Sequence, residues 1–125
     1  MPPSVPNLTG SPNPANTPYG PHTSFPKDDF PQYGGKISII YRSPDQKIVA
    51  ASATESGSTS LTYPCDEFFY VTKGWTDVQI DGGDSFRLNT GDCIYLTKGT
   101  KADFVFGPGF TNAAVFLDTE KVTLV

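Results

Sequence analysis

The feature of this sequence that most limits its fold is the regular spacing of turn residues. From Lys36 onward, clusters of Gly, Asp, Asn and Pro recur about every eight to twelve residues and separate short β-branched and aromatic runs. Such spacing is typical of a sandwich or barrel, and no segment has a helical apolar repeat of useful length. The sequence therefore predicts an all-β domain, with strands near 36–41, 47–51, 60–63, 67–73, 76–81, 85–88, 93–96, 102–106 and 113–118.

The N-terminal part has a different composition. Nine of the twelve prolines lie in residues 1–31, where neither a helix nor the apolar pattern of a core can form. We therefore divide the chain into a Pro-rich arm (1–33), a β-barrel (34–118) and a C-terminal tail (119–125). The aromatics of the arm suggest that its second half docks on the domain. His22, the one histidine, could act as a lid residue or general base if the arm covers the barrel mouth.

Composition and charge disfavour several classes of function. The 125 residues carry a formal charge of −4, which argues against nucleic acid or an anionic membrane as the main partner. No run reaches the roughly 20 apolar residues of a membrane span. The N-terminus lacks the charged and apolar regions of a secretion signal, so we expect a cytoplasmic protein. Cys65 and Cys93 each adjoin an aspartate, which disfavours a reactive thiolate, and we expect free thiols.

A glutamate opens the most aromatic predicted strand, in the stretch PCDEFFYVTKGW (residues 64–75). Alternation along the strand places Glu67 and Phe69 on one face, and Leu61 and Tyr63 join them if the alternation continues backwards. A buried carboxylate costs free energy unless it is paired, hydrogen-bonded or protonated. Glu67 is therefore either a rim residue facing water or the working group of an aromatic-walled pocket.

Two motifs together carry a family resemblance. Six residues separate Glu67 from Gly74 in EFFYVTKG, and Gly91-Asp92 opens a second segment that ends in the turn Thr97-Lys98-Gly99. In this order and at this separation, they resemble the two motifs of the cupins, with Thr97 in place of a proline. The resemblance spans roughly residues 36–118. It points to small single-domain cupins, the group of (S)-ureidoglycine aminohydrolase and the ethanolamine-utilisation Q protein, and implies a jelly-roll barrel, a cupin-type double-stranded β-helix.

The positions that hold metal in that family differ here. Metal-binding cupins use two histidines before the glutamate and one after the second motif, and the matching positions are Leu61, Tyr63 and Ala102. Of the four usual ligands, the resemblance retains Glu67 alone. Because a first-row metal site needs about three or four N, O or S ligands, we expect no metal and no cofactor.

The residues favour metal-independent acid–base chemistry on a small hydrophobic or aromatic molecule. Secondary-metabolite biosynthesis is a setting that would suit such an enzyme. The reaction would be a dehydration, isomerisation or cyclisation, with Glu67 as acid or base, its pKa raised by desolvation, and Tyr63 in support. Predicted to contact the substrate are Leu61, Phe69, Tyr95, Ala102, Phe104, Phe106 and, at the mouth, Lys101.

Two alternatives remain open from the residues. One is a non-catalytic cupin that binds a small molecule, with Glu67 as a relic of a metal-binding ancestor. The other is a metal-dependent cupin with unusual ligands. In each case we expect a homodimer, since Trp75 faces away from the predicted core and an exposed strand tryptophan often marks a partner surface.

Overall fold

The computed structural model describes residues 5–125. Two 3₁₀ turns (Pro14–Asn16 and Pro31–Tyr33) precede or separate strands in the N-terminal part. No helix in the described residues is long and apolar enough to cross a membrane. The strands are β1 (Lys27–Phe30), β2 (Gly35–Arg42), β3 (Ile48–Thr54), β4 (Gly57–Thr62), β5 (Asp66–Lys73), β6 (Trp75–Ile80), β7 (Ser85–Asn89), β8 (Cys93–Leu96), β9 (Lys101–Phe106) and β10 (Thr111–Leu117).

The strands form two antiparallel sheets that face each other. One sheet has six strands in the order β1-β2-β3-β10-β5-β8, and the other has four in the order β4-β9-β6-β7. Some neighbours in the sheets are far apart in sequence, as when β10 inserts between β3 and β5. The prediction of an all-β jelly roll is confirmed.

Alternation along the strands places the core between the sheets. In β5, Glu67, Phe69 and Val71 are buried, whereas Phe68 and Tyr70 are exposed on the outer face. The turn after β5 requires Gly74, which has a φ of 74°, and a Cβ there would lie 3.1 Å from the Pro108 carbonyl oxygen. This motif glycine therefore lets β5 turn tightly into β6 beneath the β9–β10 connection.

The second half of the N-terminal arm is part of the barrel structure. Lys27–Phe30 pairs with β2 as the edge strand of the six-stranded sheet, so the boundary that we drew at residue 33 lies inside that sheet. Phe25 is 2% exposed, and the Ser38 hydroxyl donates to its carbonyl oxygen at 3.1 Å. The sequence did not predict this strand, because β1 is a four-residue segment between Pro26 and Pro31 in a proline-rich region.

The part of the arm around His22 packs on the outer face of the six-stranded sheet, whereas Phe30 and Tyr33 at the end of the arm line the interior cavity. His22 Nδ1 lies 2.7 Å from the Ser52 hydroxyl, and Ser52 points away from the inward-facing Ala51 and Ala53 of its strand. The idea that His22 could serve the interior site as a lid residue or base is therefore wrong. The histidine instead helps to hold the arm against β3.

The C-terminal tail also returns to the domain. Val122 is 1% exposed, and its backbone N–H donates to the carbonyl of Gln46 at 2.8 Å. Leu124 reaches the interior cavity. Residues 119–125, which the sequence separated as a tail, thus contribute to the core.

We expect Ser52→Ala to lower the free energy of unfolding by about 1–2 kcal/mol. Its hydroxyl donates to the Asn112 carbonyl at 2.9 Å and contacts His22, so the substitution removes both interactions from a buried position. Urea unfolding would measure the effect. Ser58→Ala, at an exposed position of β4, should change stability by less than about 0.5 kcal/mol. Equal stability of the two variants would contradict the arm contact.

Candidate functional site

A cavity lies between the two sheets and opens towards solvent. The space between its lining side chains, together with the open solvent at its mouth, measures about 500 Å³. Much of its wall is aromatic, with rings in mutual contact: Phe104 and Phe106 stack with centroids 5.8 Å apart, and Phe106 and Phe110 lie 5.1 Å apart. The phenylalanines that line it are Phe30, Phe69, Phe104, Phe106, Phe110 and Phe116.

Glu67 lies in this cavity on the inner face of β5. It is 5% exposed, between Phe116 of β10 and Leu96 of β8 in the sheet register. Desolvation raises the pKa of its carboxyl group to about 7, and hydrogen bonding from Tyr63 partly opposes that rise. Glu67 can therefore exchange protons near neutral pH.

Tyr63 stands beside Glu67, as the alternation predicted. It is 3% exposed, and its ring meets Phe104 edge-on at 6.5 Å. Burial and the nearby Glu67 carboxylate raise the pKa of its hydroxyl above the usual 10. The hydroxyl therefore stays protonated and can only donate its hydrogen bond to an anionic neighbour.

A second carboxylate in the cavity was missed by the sequence analysis. Glu55 directly follows β3 and continues the inward face of Ala51 and Ala53. Desolvation, with repulsion from Glu67 added, raises the pKa of Glu55 to about 8, against a hydrogen bond from Asn112. The alternation of Ala51, Ala53 and Glu55 could have predicted this placement. The small side chains of the Ala-Ser-Ala run do not mark where the strand ends, and the predicted strand stops at Ala51.

Asn112 holds Glu55 in place. Its Nδ2 donates to Glu55 Oε1 at 3.2 Å, and its Oδ1 accepts from the Ala53 N–H at 3.2 Å. The register of β10 against β5 shifts between Thr111 and Asn112, which marks a β-bulge. Bulges re-aim side chains at the edges of sites, and here both Thr111 and Asn112 are buried. The strand predicted from the sequence begins at Ala113, two residues after the observed start at Thr111, so Asn112 was not among the predicted site residues.

Most of the predicted substrate contacts border the cavity, and three do not. Leu61, Phe69, Phe104 and Phe106 line it together with Glu67 and Tyr63. Ala102 is buried in the same core without bordering the cavity.

Tyr95 and Lys101 are exposed and lie outside the cavity, which corrects their predicted contact with substrate. Tyr95 is opposite Phe68 on the outer face of the sheet, where its hydroxyl donates to Asp66 at 2.6 Å. The turn at Gly91 determines which side chains of β8 point inward, and the sequence alone does not predict that orientation. Lys101 alternates with the inward-facing Ala102 and so points outward.

The buried cysteine lies in the core near the cavity. Cys65 is fully buried, and desolvation followed by repulsion from Glu67 raises the pKa of its thiol to about 11. Cys93 is exposed, and both thiols are free. Cys65 therefore stays protonated and inert as a nucleophile at neutral pH.

The side chains around Glu67 do not fit a cupin metal centre. Where the family places its histidines, the interior offers the alkyl chain of Leu61, the protonated hydroxyl of Tyr63 and the methyl group of Ala102. Within residues 5–125, no three His, Cys, Asp or Glu side chains are grouped closely enough to hold a metal ion. The donor set therefore lacks the three or four ligands of a first-row metal.

Two antiparallel sheets around an interior cavity, with Glu67 at the first motif, define a small cupin. The chain belongs to the family of the EutQ-like cupin domain, whose model matches residues 46–113. Among curated proteins, no sequence matches this chain.

Solved structures with the same fold include KdgF from Halomonas sp., at 22% identity and a TM-score of 0.62, covering 76% of this chain and 89% of that one. The EutQ protein of Clostridium difficile is similar at 21% identity and a TM-score of 0.57, with 73% and 75% covered. Ectoine synthase from P. lautus shares 15% identity at a TM-score of 0.64, with 73% and 67% covered. At these identities the likeness shows the fold alone.

Proposed function

We propose that this cupin is a metal-independent enzyme that performs acid–base chemistry on a small hydrophobic or aromatic molecule. The reaction class is dehydration, isomerisation or cyclisation. The observation that carries the proposal is Glu67, a carboxyl group 5% exposed in an aromatic cavity, with a pKa raised to about 7. General acids and bases work best when their pKa lies near the operating pH.

In the proposed reaction, the groups that line the cavity have distinct roles. Aromatic walls bind the apolar part of a substrate and exclude water. Ionised Glu67 accepts a proton from the substrate, and the protonated form returns one to a carbon or to a leaving hydroxyl. The Tyr63 hydroxyl, held protonated by its raised pKa, donates to the Glu67 carboxylate or to an oxyanion that develops on the substrate.

Ectoine synthase supports the proposal only as a fold analogy, since a fold hosts many functions. The stronger support is the titrating carboxylate itself. A protein that only binds neutral molecules gains nothing from a buried carboxyl group of this kind, because the group costs stability when it ionises.

We expect chelator-treated protein to keep its activity. Incubation in D₂O with a panel of aromatic and aliphatic ketones and β-hydroxy carbonyl compounds should give deuterium incorporation or loss of water, read by NMR and mass spectrometry. Manganese, iron, zinc and nickel added back should change neither the rate nor the melting temperature, because the donor set around Glu67 does not fit a metal.

Two outcomes would contradict the proposal. Activity that appears only with added metal would favour the cupin with unusual ligands. Compounds that bind in the cavity and never exchange a proton would favour the non-catalytic binding protein.

The homodimer remains a prediction. It is supported by exposed aromatic residues on the outer face of β5 and β8, where Phe68, Tyr70 and Tyr95 are 38%, 43% and 51% exposed. Trp75, by contrast, is partly covered and lies under the guanidinium of Arg87, 3.8 Å from its ring centroid. The cytoplasmic location and a role in secondary-metabolite biosynthesis also remain predictions.

A further inference from the structure

The charge on the cavity wall is of one sign. Among the side chains of residues 5–125 that line it, Glu55 and Glu67 are the two that ionise as acids below pH 9, and none is lysine, arginine or histidine. An anionic substrate would find no counter-ion in this cavity and would meet two carboxylates in a poorly solvated space. A cationic group, in contrast, would neutralise charge that burial now disfavours.

The aromatic wall suits the same kind of ligand. Ring faces carry partial negative charge and attract organic cations, most strongly where water is excluded. Six phenylalanines and two tyrosines border the cavity, and Phe30 and Tyr33 lie 4.7 Å apart near Glu55. Aromatic rings combined with a carboxylate are a chemistry that recognises alkylammonium groups.

Glu55 is held as a fixed acceptor. Asn112 occupies one of its oxygens with a hydrogen bond of 3.2 Å and is itself fixed by the backbone N–H of Ala53 on the paired strand β3. Asn112 is 3% exposed, so this support is itself buried. Glu67 lies on β5, which β10 separates from β3, and interacts with Tyr63 instead. The two carboxylates thus have separate supports on separate parts of the wall.

We propose that Glu55 determines the substrate specificity of this site by binding the ammonium group of an amine or quaternary ammonium compound, whose apolar part lies among the aromatic rings. Glu67 remains free for proton transfer, and that assignment alone rests on the proposed function. The inference narrows the substrate class from small hydrophobic molecules to those that carry a positive charge.

Binding of a cation is expected to depend on pH. The titratable groups that face Glu55 are Glu67, Tyr33 and Tyr63, and the two tyrosines stay neutral through pH 9 because their pKa values are raised. A cation beside Glu55 lowers the pKa of that carboxyl group from about 8. Binding below pH 8 therefore releases protons, and affinity rises between pH 6 and pH 9.

The test compares matched ligands that differ in charge: phenethylamine, 2-phenylethanol and phenylacetate, with benzyltrimethylammonium as a cation that does not titrate. Calorimetry at pH 8 should show the amine binding at least about tenfold more tightly than the alcohol, with phenylacetate weakest. Benzyltrimethylammonium should bind more tightly at pH 9 than at pH 6. Titration at pH 7 in buffers of different ionisation enthalpy should report released protons.

Variants separate this proposal from the proposed function. Glu55→Gln should lower the affinity for the amine to that for the alcohol. Asn112→Ala should weaken the preference for the amine. Glu120→Gln, at an exposed position, should leave that preference unchanged. Equal affinity for amine and alcohol in the wild-type protein, or a preference that survives Glu55→Gln, would overturn the inference. Proton exchange on neutral ketones would still support Glu67 as acid or base in that case. A preference for amines without any proton exchange on a substrate would contradict the proposed acid–base chemistry and would still support Glu55 as the residue that binds the ammonium group.

Discussion

Replacing Glu67 by glutamine should lower turnover by roughly 10²–10⁴-fold while the barrel remains folded. The amide has the shape of the carboxyl group and can still accept a hydrogen bond from Tyr63, but it neither takes up nor releases a proton near neutrality. Substrate affinity should change little, because the aromatic wall is intact. Single-turnover rates and dissociation constants, measured on the same preparation, would separate the chemical step from binding.

The matched control is Glu120→Gln, since Glu120 is the one glutamate outside the cavity and is exposed. It should retain full turnover. Tyr63→Phe should give an intermediate loss, because it removes the donor and leaves the ring packing on Phe104. Turnover that survives Glu67→Gln unchanged would remove Glu67 from the mechanism and return it to the role of a relic.

The free energy of unfolding should fall as the pH rises from about 4.5 to 8. Burial raises the pKa of Glu67 from 4.5 to about 7 and that of Glu55 to about 8, so the folded protein keeps protons that the unfolded chain has lost. Stability is therefore greatest below the unfolded pKa and declines as the folded groups ionise. At 1.36 kcal/mol per pKa unit, Glu67 alone accounts for a decline on the order of 3 kcal/mol.

Urea unfolding at pH 5 and pH 8.5 would measure this decline. Glu67→Gln should reduce the decline and leave the part due to Glu55, so that the variant is more stable than the wild type at pH 8.5 and close to it at pH 5. The partly exposed Asp66 and Asp77 have pKa values lowered by hydrogen bonds with Tyr95 and Arg87, so they do not contribute to a loss of stability with rising pH. A wild-type stability that is flat or rising across this window would mean that neither carboxyl group is desolvated.

Much of the barrel could be predicted because its signals are local. The strands around Glu67, Phe86 and Phe104 each lie between turn residues and show alternation within a few side chains, and their observed bounds differ little from the predicted ones. Where alternation was weak, prediction failed at the ends of elements. The Ala-Ser-Ala-Thr end of β3 is a strand because β10 pairs with it, as in Ala53 opposite Asn112.

The predicted contact of Tyr95 with substrate failed for a related reason. Its strand is four residues long, and the preceding Gly91, with a φ of 97°, sets which side chains turn inward. Ile94 and Leu96 take the inner side, and Tyr95 bonds to Asp66 outside. In so short a strand, the apolar pattern does not distinguish the two phases.

The sequence by itself determined the all-β class, the cupin motifs and the placement of Glu67 beside Tyr63, because each depends on residues only a few positions apart. Only the tertiary structure brought Glu55 into the same cavity, joined it to Asn112, 57 residues away, and laid the arm against Ser52. Contacts across such separations depend on which strands become neighbours in the sheets. That order follows from the closure of the whole core, and no local pattern in the chain records it.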